Sequence, residues 1–458
     1  MSALHISAAI FVIYAIASLL LPLKLKLVYK LVLSLVLAFC GSKYLIYMYS
    51  GGVLTPKLPS NVILCLEVLY SFLMLSVVCA LIKDLVLLGR SVARYIEKRS
   101  SGRRGVGKGS KSASATGTVA FKPWPLGRIN TVIVVAAFIS ALTGTLSQLR
   151  TPNVVEHTVY VRGLPQAFDG YTIVQLTDLH IGPVLKRDFL EGVVTKTNSL
   201  DPDLILITGD LVDGSVAALK DEFKPFEDLR ATNGVLAVTG NHEYYSGANS
   251  WVKTWEEMGV KFLRNESVLI SKGAFSIQVA GIPDIRGVNL GEVKADPQAA
   301  LKNVIPYKYG SYTAISAPAA SSQGTEQAFN EESLDGAGAT FSIKSRPISG
   351  IASELNKAVA TIFMAHQPNA VAELDIKANL ILSGHTHGGT MFFLKPLIAH
   401  FNAGYVSGMY DLGRGSSLYV SNGTGIWSGF SCRLLVPSEI TKFTLRRNWT
   451  AIQQLASE

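Results

Sequence analysis

Five short motifs hold the side chains best suited to metal chemistry: Asp178 and His180 in TDLH, Asp210 in TGD, Asn241 in TGNHE, His366 in MAHQP, and His385 with His387 in GHTH. Two Asp, one Asn carbonyl and four His are too many donors for one tetrahedral site. They suit two divalent ions that share a carboxylate. Taken singly each motif is weak, because a strand-ending Asp is ordinarily a turn residue and a His after an apolar run is ordinarily a satisfied core group. Their joint occurrence is more specific: of eight histidines, only His5, His157 and His400 lie outside these motifs once His242, beside Asn241, is included. Imidazole with carboxylate suits Zn, Fe and Mn alike, so the donor set leaves the metal open.

Each motif closes an apolar run: YTIVQLTD, DLILITGD, GVLAVTGN, ATIFMAHQP and NLILSGHTH. Continuous apolar runs of this length predict strands buried on both faces, with the polar groups at their C-terminal ends. Helical patterns at 186–199, 217–230 and 249–258 alternate with the first three, which predicts α/β architecture. FSIQVAGIPD, SSLYVSNGTG and EITKFTLRR follow with few helices between the last of them, so a mixed, two-sheet β-sandwich flanked by helices is expected rather than one parallel sheet. Strand alternation places residues i and i+2 on one side, so Asp178 with His180, and His385 with His387, can converge. Glycines at 209, 240 and 384 allow close backbone approach. The Ala/Ser/Gly-rich stretch at about 300–350 reads as a flexible surface insertion.

The ordered set DxH, GD, GNHE, H and GHxH, spanning 178–387, resembles the calcineurin-like metallophosphoesterases. GIPD, GHTHGG and YVSNGTG are most similar to membrane-associated members of that family. The resemblance implies a metallo-dependent phosphatase fold. It also implies Asp178, His180 and His387 as ligands of one ion, Asn241, His366 and His385 as ligands of the other, and Asp210 as the bridge. The implied reaction is hydrolysis of a phosphodiester or pyrophosphate by a hydroxide held between the ions. His242 would stay unligated and protonate the leaving oxygen or hold a phosphoryl oxygen. Glu243 stands where many members have Asp and is expected to orient His242. The long insertion departs from the compact members of the family.

The first third of the chain differs in kind. Apolar stretches at roughly 3–22, 28–48, 61–88 and 129–148 each approach the ~20 residues that span a bilayer, which predicts four transmembrane helices before a phosphoesterase part. The expected division is a membrane region over 1–150, with a basic loop at 89–128, and a metallophosphoesterase domain over 151–458. Before Arg150, 16 Lys and Arg face only Glu67, Asp84 and Glu97, so a chain of net charge +9 must be net negative beyond that point. The basic character is thus a topology signal, and nucleic-acid binding loses its support. Lys24, Lys26 and Lys30, together with the 89–128 loop, mark the cytoplasmic side by the positive-inside rule. A multi-pass protein of the cell membrane with its phosphoesterase part on the extracytoplasmic side is the expectation. Cys432 is the single cysteine beyond the spans, so no disulfide is expected there.

Three further features bear on function. Lys43 and Glu67 lie inside expected spans, where charge is costly, so pairing within the bundle is expected, with snorkelling of Lys43 as the alternative. TMFFLKPLIAHF, 390–401, is expected to be core, the other reading being an apolar lip that dips toward the bilayer and receives an acyl chain. A phosphorylated small molecule or lipid, glycolipids included, is therefore the expected substrate class, and the bilayer the expected partner. The competing reading is a non-catalytic membrane receptor or scaffold whose domain only binds metal, and His242 argues against it because binding alone needs no leaving-group acid.

Overall fold

A computed structural model describes residues 3–53, 55–104, 125–287, 293–307 and 359–447. The expected insertion at about 300–350 lies mostly outside the described residues, as does the middle of the basic loop.

Beyond Arg150 the chain builds two six-stranded mixed sheets. The first runs β1 (Asn153–Val161), β12 (Glu439–Arg447), β2 (Thr172–Leu176), β3 (Leu204–Ile207), β4 (Val235–Ala237) and β5 (Val260–Phe262). The second runs β10 (Gly408–Gly413), β11 (Ser416–Val420), β9 (Leu380–Ser383), β8 (Thr361–Met364), β7 (Phe275–Gly281) and β6 (Glu266–Lys272). The pairs β2/β3, β3/β4, β7/β8 and β8/β9 are parallel, as double-faced burial predicts.

The sequence LILI of β3 shows how the sandwich is held. Leu204 and Leu206 enter the layer between the sheets with Val279, Ile362 and Leu382, while Ile205 and Ile207 face outward to a second layer with Val193, Trp251 and Trp255. Helix α6 (Arg187–Asn198) lies in that outer layer. Each such side chain contributes roughly 1.5–3 kcal/mol on leaving water, which lets four-residue strands persist. Phe363 and Ile381 face the opposite outer layer.

The membrane region departs from four straight spans. Among the described residues two helices are long and apolar enough to cross a membrane: Ser60–Glu97, within α4 (Ser60–Arg104), and Leu126–Leu149, which contains α5 (Leu126–Leu146). The expected 28–48 span is a pair, α2 (Leu27–Gly41) and α3 (Lys43–Tyr49), bent by 52°. The expected 3–22 span becomes α1 (Ala3–Ala15) and a π-helical turn, Ile16–Leu20, and falls short of the length of a full span. That turn has a physical consequence. Its carbonyls at Ser18 and Leu19 accept from Lys83 Nζ at 2.7 Å and Asn130 Nδ2 at 2.8 Å, so polar groups of the neighbouring helices satisfy backbone that the irregular turn exposes.

The helices and sheets meet through a strap, residues 427–433, between β11 and β12. Lys43 Nζ and Glu67 Oε1 are 2.8 Å apart and fully buried, so the expected pair forms and Lys43 does not snorkel. Both partners also grip the strap: Lys43 donates to Gly429 O at 2.7 Å, and Glu67 Oε2 accepts from Ser431 N–H at 2.9 Å. Arg433 N–H donates to Gly144 O of α5 at 3.2 Å, where a Cβ in place of the glycine hydrogen would lie 2.6 Å from Arg433 O. Irregular backbone among apolar helices must have its polar groups satisfied by protein, and the charged pair does this. Among the described residues no disulfide assists; Cys432 is a buried free thiol.

Candidate metal centre

All the candidate ligands sit just past the C-terminal ends of parallel strands. Asp178 and His180 follow β2, Asp210 follows β3, Asn241 follows β4, His366 follows β8, and His385 and His387 follow β9. The strand-pleat explanation for the paired motifs is corrected here, because β2 ends at Leu176 and β9 at Ser383. Instead, five of these residues hold left-handed backbones: Asp178 (φ 53°), His180 (47°), Asp210 (55°), His385 (70°) and His387 (48°). Such conformations cost of order 1–3 kcal/mol each and persist only where surroundings fix them. The loops do so by continuing to bond past the strands, Asp178 N–H to Gly209 O at 2.9 Å and His180 N–H to Asp210 O at 3.1 Å. Gly209 (φ 93°) is needed where these loops meet, since a Cβ there would lie 2.5 Å from Gly240 N. A Cβ at Gly384 would run into Thr177 Oγ1 and the Asp178 carboxylate.

Two clusters of donor atoms result, each within 4.8 Å: Asp178, His180 and His387, and Asp210, His366 and His385. The His180 and His387 Nε2 atoms are 3.1 Å apart, and His366 Nε2 stands 3.1 Å from Asp210 Oδ2. His385 N–H bonds both oxygens of Asp178, at 3.0 and 3.1 Å, which ties the two loops together. Asn241 Oδ1 is buried with no hydrogen-bond partner. An orphaned carbonyl oxygen beside buried carboxylates and imidazoles is the donor set that divalent ions fit. A third grouping, His180, Asp210 and His242, falls within the same distance, but His242 turns its Nδ1 to Asp213.

Asp213 was not among the residues singled out from sequence. Its Oδ1 lies 3.1 Å from His180 Nδ1 and 2.6 Å from His242 Nδ1, so one carboxylate orients a candidate ligand and the candidate acid together. No local signal marked it, because GDLVD folds as a loop and both partners of Asp213 lie about thirty residues away in sequence. Burial raises Asp213, but the two imidazoles outweigh burial and bring it down to about 2. Burial likewise opposes charge on His242, yet Asp210 and Asp213 outweigh it and lift the ring to about 9.

Glu243 acts elsewhere than expected. It is fully buried in helix Asn241–Ser246 and accepts from the backbone N–H groups of Asp210 at 2.9 Å, Leu211 at 2.7 Å and Gly240 at 2.6 Å. It therefore shapes the loop that carries Asp210, and the orienting partner of His242 is Asp213. Burial raises its carboxyl to about 7 despite these amide donors.

Arg433, also unforeseen, brings the strap to the site. Its guanidinium donates to His387 O at 2.9 Å, Asn422 O at 2.6 Å and Gly425 O at 2.9 Å, and lies 3.2 Å from His387 Nδ1. Trp427, at the start of the strap, packs its ring 5.8 Å from His242. A cavity of about 390 Å³ opens over the second cluster, lined by Asn241, Tyr245, Arg286, His385, Phe401 and Asn402.

Residues 171–389 match the family model of the calcineurin-like phosphoesterases. A 300-residue stretch is 30% identical to an uncharacterized metallophosphoesterase of Campylobacter jejuni, covering 65% of this chain and 64% of that one. The chain carries a calcineurin-like metallophosphoesterase domain. Two further relatives are named transmembrane protein with metallophosphoesterase domain. The Danio rerio protein is 28% identical over 350 residues, covering 74% of this chain and 67% of its own length, and the Bos taurus protein is 30% identical over 352 residues, covering 74% and 66%. The chain spans about two thirds of the length of each of these relatives. Divalent metal binding and phosphoester hydrolysis are the family's chemistry, and the two clusters of His and Asp stand within the matched region.

Proposed function

We infer that the protein is a membrane-anchored phosphohydrolase that uses two divalent ions to cleave a phosphodiester or pyrophosphate bond. The observation that carries this reading is the Asp213–His242 pair at 2.6 Å, set beside two clusters in which Asp210 Oδ2 of the second lies 3.8 Å from His180 Nε2 of the first. Asp178, His180 and His387 would hold one ion, Asn241, His366 and His385 the other, and Asp210 both. Held by these residues, divalent ions would supply Lewis acidity to activate water and offset phosphoryl charge.

The chain's own residues do the rest. His242 N–H from the backbone bonds Asp210 Oδ1 at 2.8 Å, which fixes the ring's root, and Asp213 fixes its Nδ1. The Nε2–H of a protonated His242 is then free to pass its proton to the leaving oxygen as the P–O bond breaks. Water adds its oxygen to phosphorus, so the products are a phosphate ester or acid and an alcohol or second phosphate. Division into a membrane region before 150 and the phosphoesterase domain after it is part of this reading. So is the placement of that domain on the extracytoplasmic face of the cell membrane, supported by the basic loop.

The test is hydrolysis of bis-p-nitrophenyl phosphate by the full chain in detergent with Mn²⁺, Fe²⁺ or Zn²⁺ supplied. Turnover that His242→Ala reduces, with two metal equivalents still bound, is the expected result. Two bound metals and no turnover on any phosphodiester or pyrophosphate would sink it.

A further inference from the structure

The segment after GHTH does not behave as core throughout. Met391 is buried, and with Phe393 and Leu394 it joins a cluster containing Met74 and Leu75 of α4 and Ala137 and Ala141 of α5. Ala137 lies roughly 14 Å of helix before the end of α5. The neighbouring α5 residues Val135, Phe138 and Ile139 are exposed, as lipid-facing side chains are. The turn at 391–394 is therefore held at a level where the helices are apolar on their outside. Phe392, in that turn, is 51% exposed.

From there helix Lys395–Phe401 leads back to the metal centre. Leu397 and Phe401, one helical turn apart, are 53% and 68% exposed, and Phe401 forms part of the cavity wall with Asn241 and His385. Exposed apolar side chains thus run from the level of the transmembrane helices to the mouth of the cavity. Arg286, exposed on the same cavity, offers a guanidinium to an anionic headgroup. A water-soluble substrate has no use for such a track, whereas a lipid can keep its chain on it while the phosphorus reaches the candidate ligands.

Resting on the phosphohydrolase reading above, we propose that the substrate is an amphiphile resident in the bilayer: its phosphoester enters the cavity between His385 and Arg286, and its hydrocarbon chain stays along Phe401, Leu397 and Phe392. The turn 391–394 fixes this track at the level of the apolar helix exteriors, so the lipid is drawn laterally from its leaflet.

The full metal-loaded chain in mixed micelles is given hexadecyl p-nitrophenyl phosphate or ethyl p-nitrophenyl phosphate. The expected kcat/KM ratio of long to short ester is at least tenfold, and it falls at least tenfold in Phe392→Ser/Leu397→Ser. Binding of hexadecylphosphonate against ethylphosphonate is measured on the same samples and should show the same preference and the same loss. A ratio near one in the native chain, or a preference unchanged by the double substitution, overturns the proposal. Failure of both esters and of bis-p-nitrophenyl phosphate strikes the phosphohydrolase reading instead, and the phosphonate binding then decides the lipid track alone.

Discussion

Asp213 Oδ1 lies 2.6 Å from the Nδ1 of His242, and the same oxygen is 3.1 Å from the Nδ1 of His180. One carboxylate thus sets the orientation of a candidate metal ligand and of the candidate acid, and a change at Asp213 must be felt in two measurements. Asp213→Asn is expected to weaken metal binding about 10–100-fold, the usual effect of losing a ligand's outer partner. Isothermal titration with Mn²⁺ reads this directly.

The same pair sets a pH dependence. His242 serves as acid only while protonated, and the Asp210 and Asp213 carboxylates hold it up at about 9 against burial. Turnover of an alkyl phosphodiester is expected to fall at alkaline pH as the ring loses its proton, at a lower pH than in the metal-free chain because bound cations offset the charge of Asp210. In Asp213→Asn one of the raising charges is gone, so the falling limb moves to lower pH. His242→Ala should cost about 10²–10⁴-fold on an alkyl ester and much less where the leaving group is p-nitrophenolate, which needs no proton. Equal losses on both esters would remove His242 from the role of acid.

Glu243→Gln replaces one carboxylate oxygen with an N–H₂ facing backbone N–H groups that now donate to it. A buried donor left unpaired costs ~1–3 kcal/mol. Because the loop so disturbed carries Asp210, metal-dependent thermal stabilisation should shrink along with Tm, whereas a change at an ordinary core carboxylate would lower Tm with and without metal alike.

Breaking the Lys43–Glu67 pair leaves one buried charge without its counterion; losing Glu67 also strands the Ser431 N–H, whereas Gly429 O keeps the Tyr44 hydroxyl at 3.2 Å when Lys43 is lost. Glu67→Ala and Lys43→Ala are each expected to destabilise the detergent-solubilised chain by about 3–5 kcal/mol. The double variant should be no worse than the poorer single one, and additive losses in calorimetry would show the two groups to be independent.

Removing metal with a chelator should lower Tm and abolish turnover, and Asp210→Asn should resemble the chelated protein even with metal in excess. Retained binding of two ions by Asp210→Asn would take from Asp210 the role of shared ligand.

Much of the sandwich was legible because runs such as LILI and TIFM are apolar at every position, and only a strand buried on both faces uses them so. The candidate ligand motifs were legible because each closes such a run. The cause of their convergence was not. Nothing in TDLH or GHTH announces left-handed backbones at Asp178, His180, His385 and His387, since these are imposed by loop-to-loop bonds formed only in the folded chain. Glu243 was misassigned because adjacency to His242 in sequence puts the two side chains on different sides of a helix turn. Asp213 and Arg433 went unseen for the opposite reason: their partners are distant in sequence, on other loops. The spans were over-regularised, since hydropathy does not register the bend at Ser42 or the π turn at Ile16–Leu20.

The strap at 427–433 has a consequence for how the molecule is made. Its carbonyl at Gly429 and amide at Ser431 are matched by Lys43 and Glu67, and the same segment supports His387 through Arg433. The helices precede the strap in the chain, so they are there to receive it and, through Arg433, the loop that carries His387. A chain severed after Arg150 should accordingly hold together as two co-purifying pieces, and the two halves expressed separately should reassemble only when both reach the same membrane.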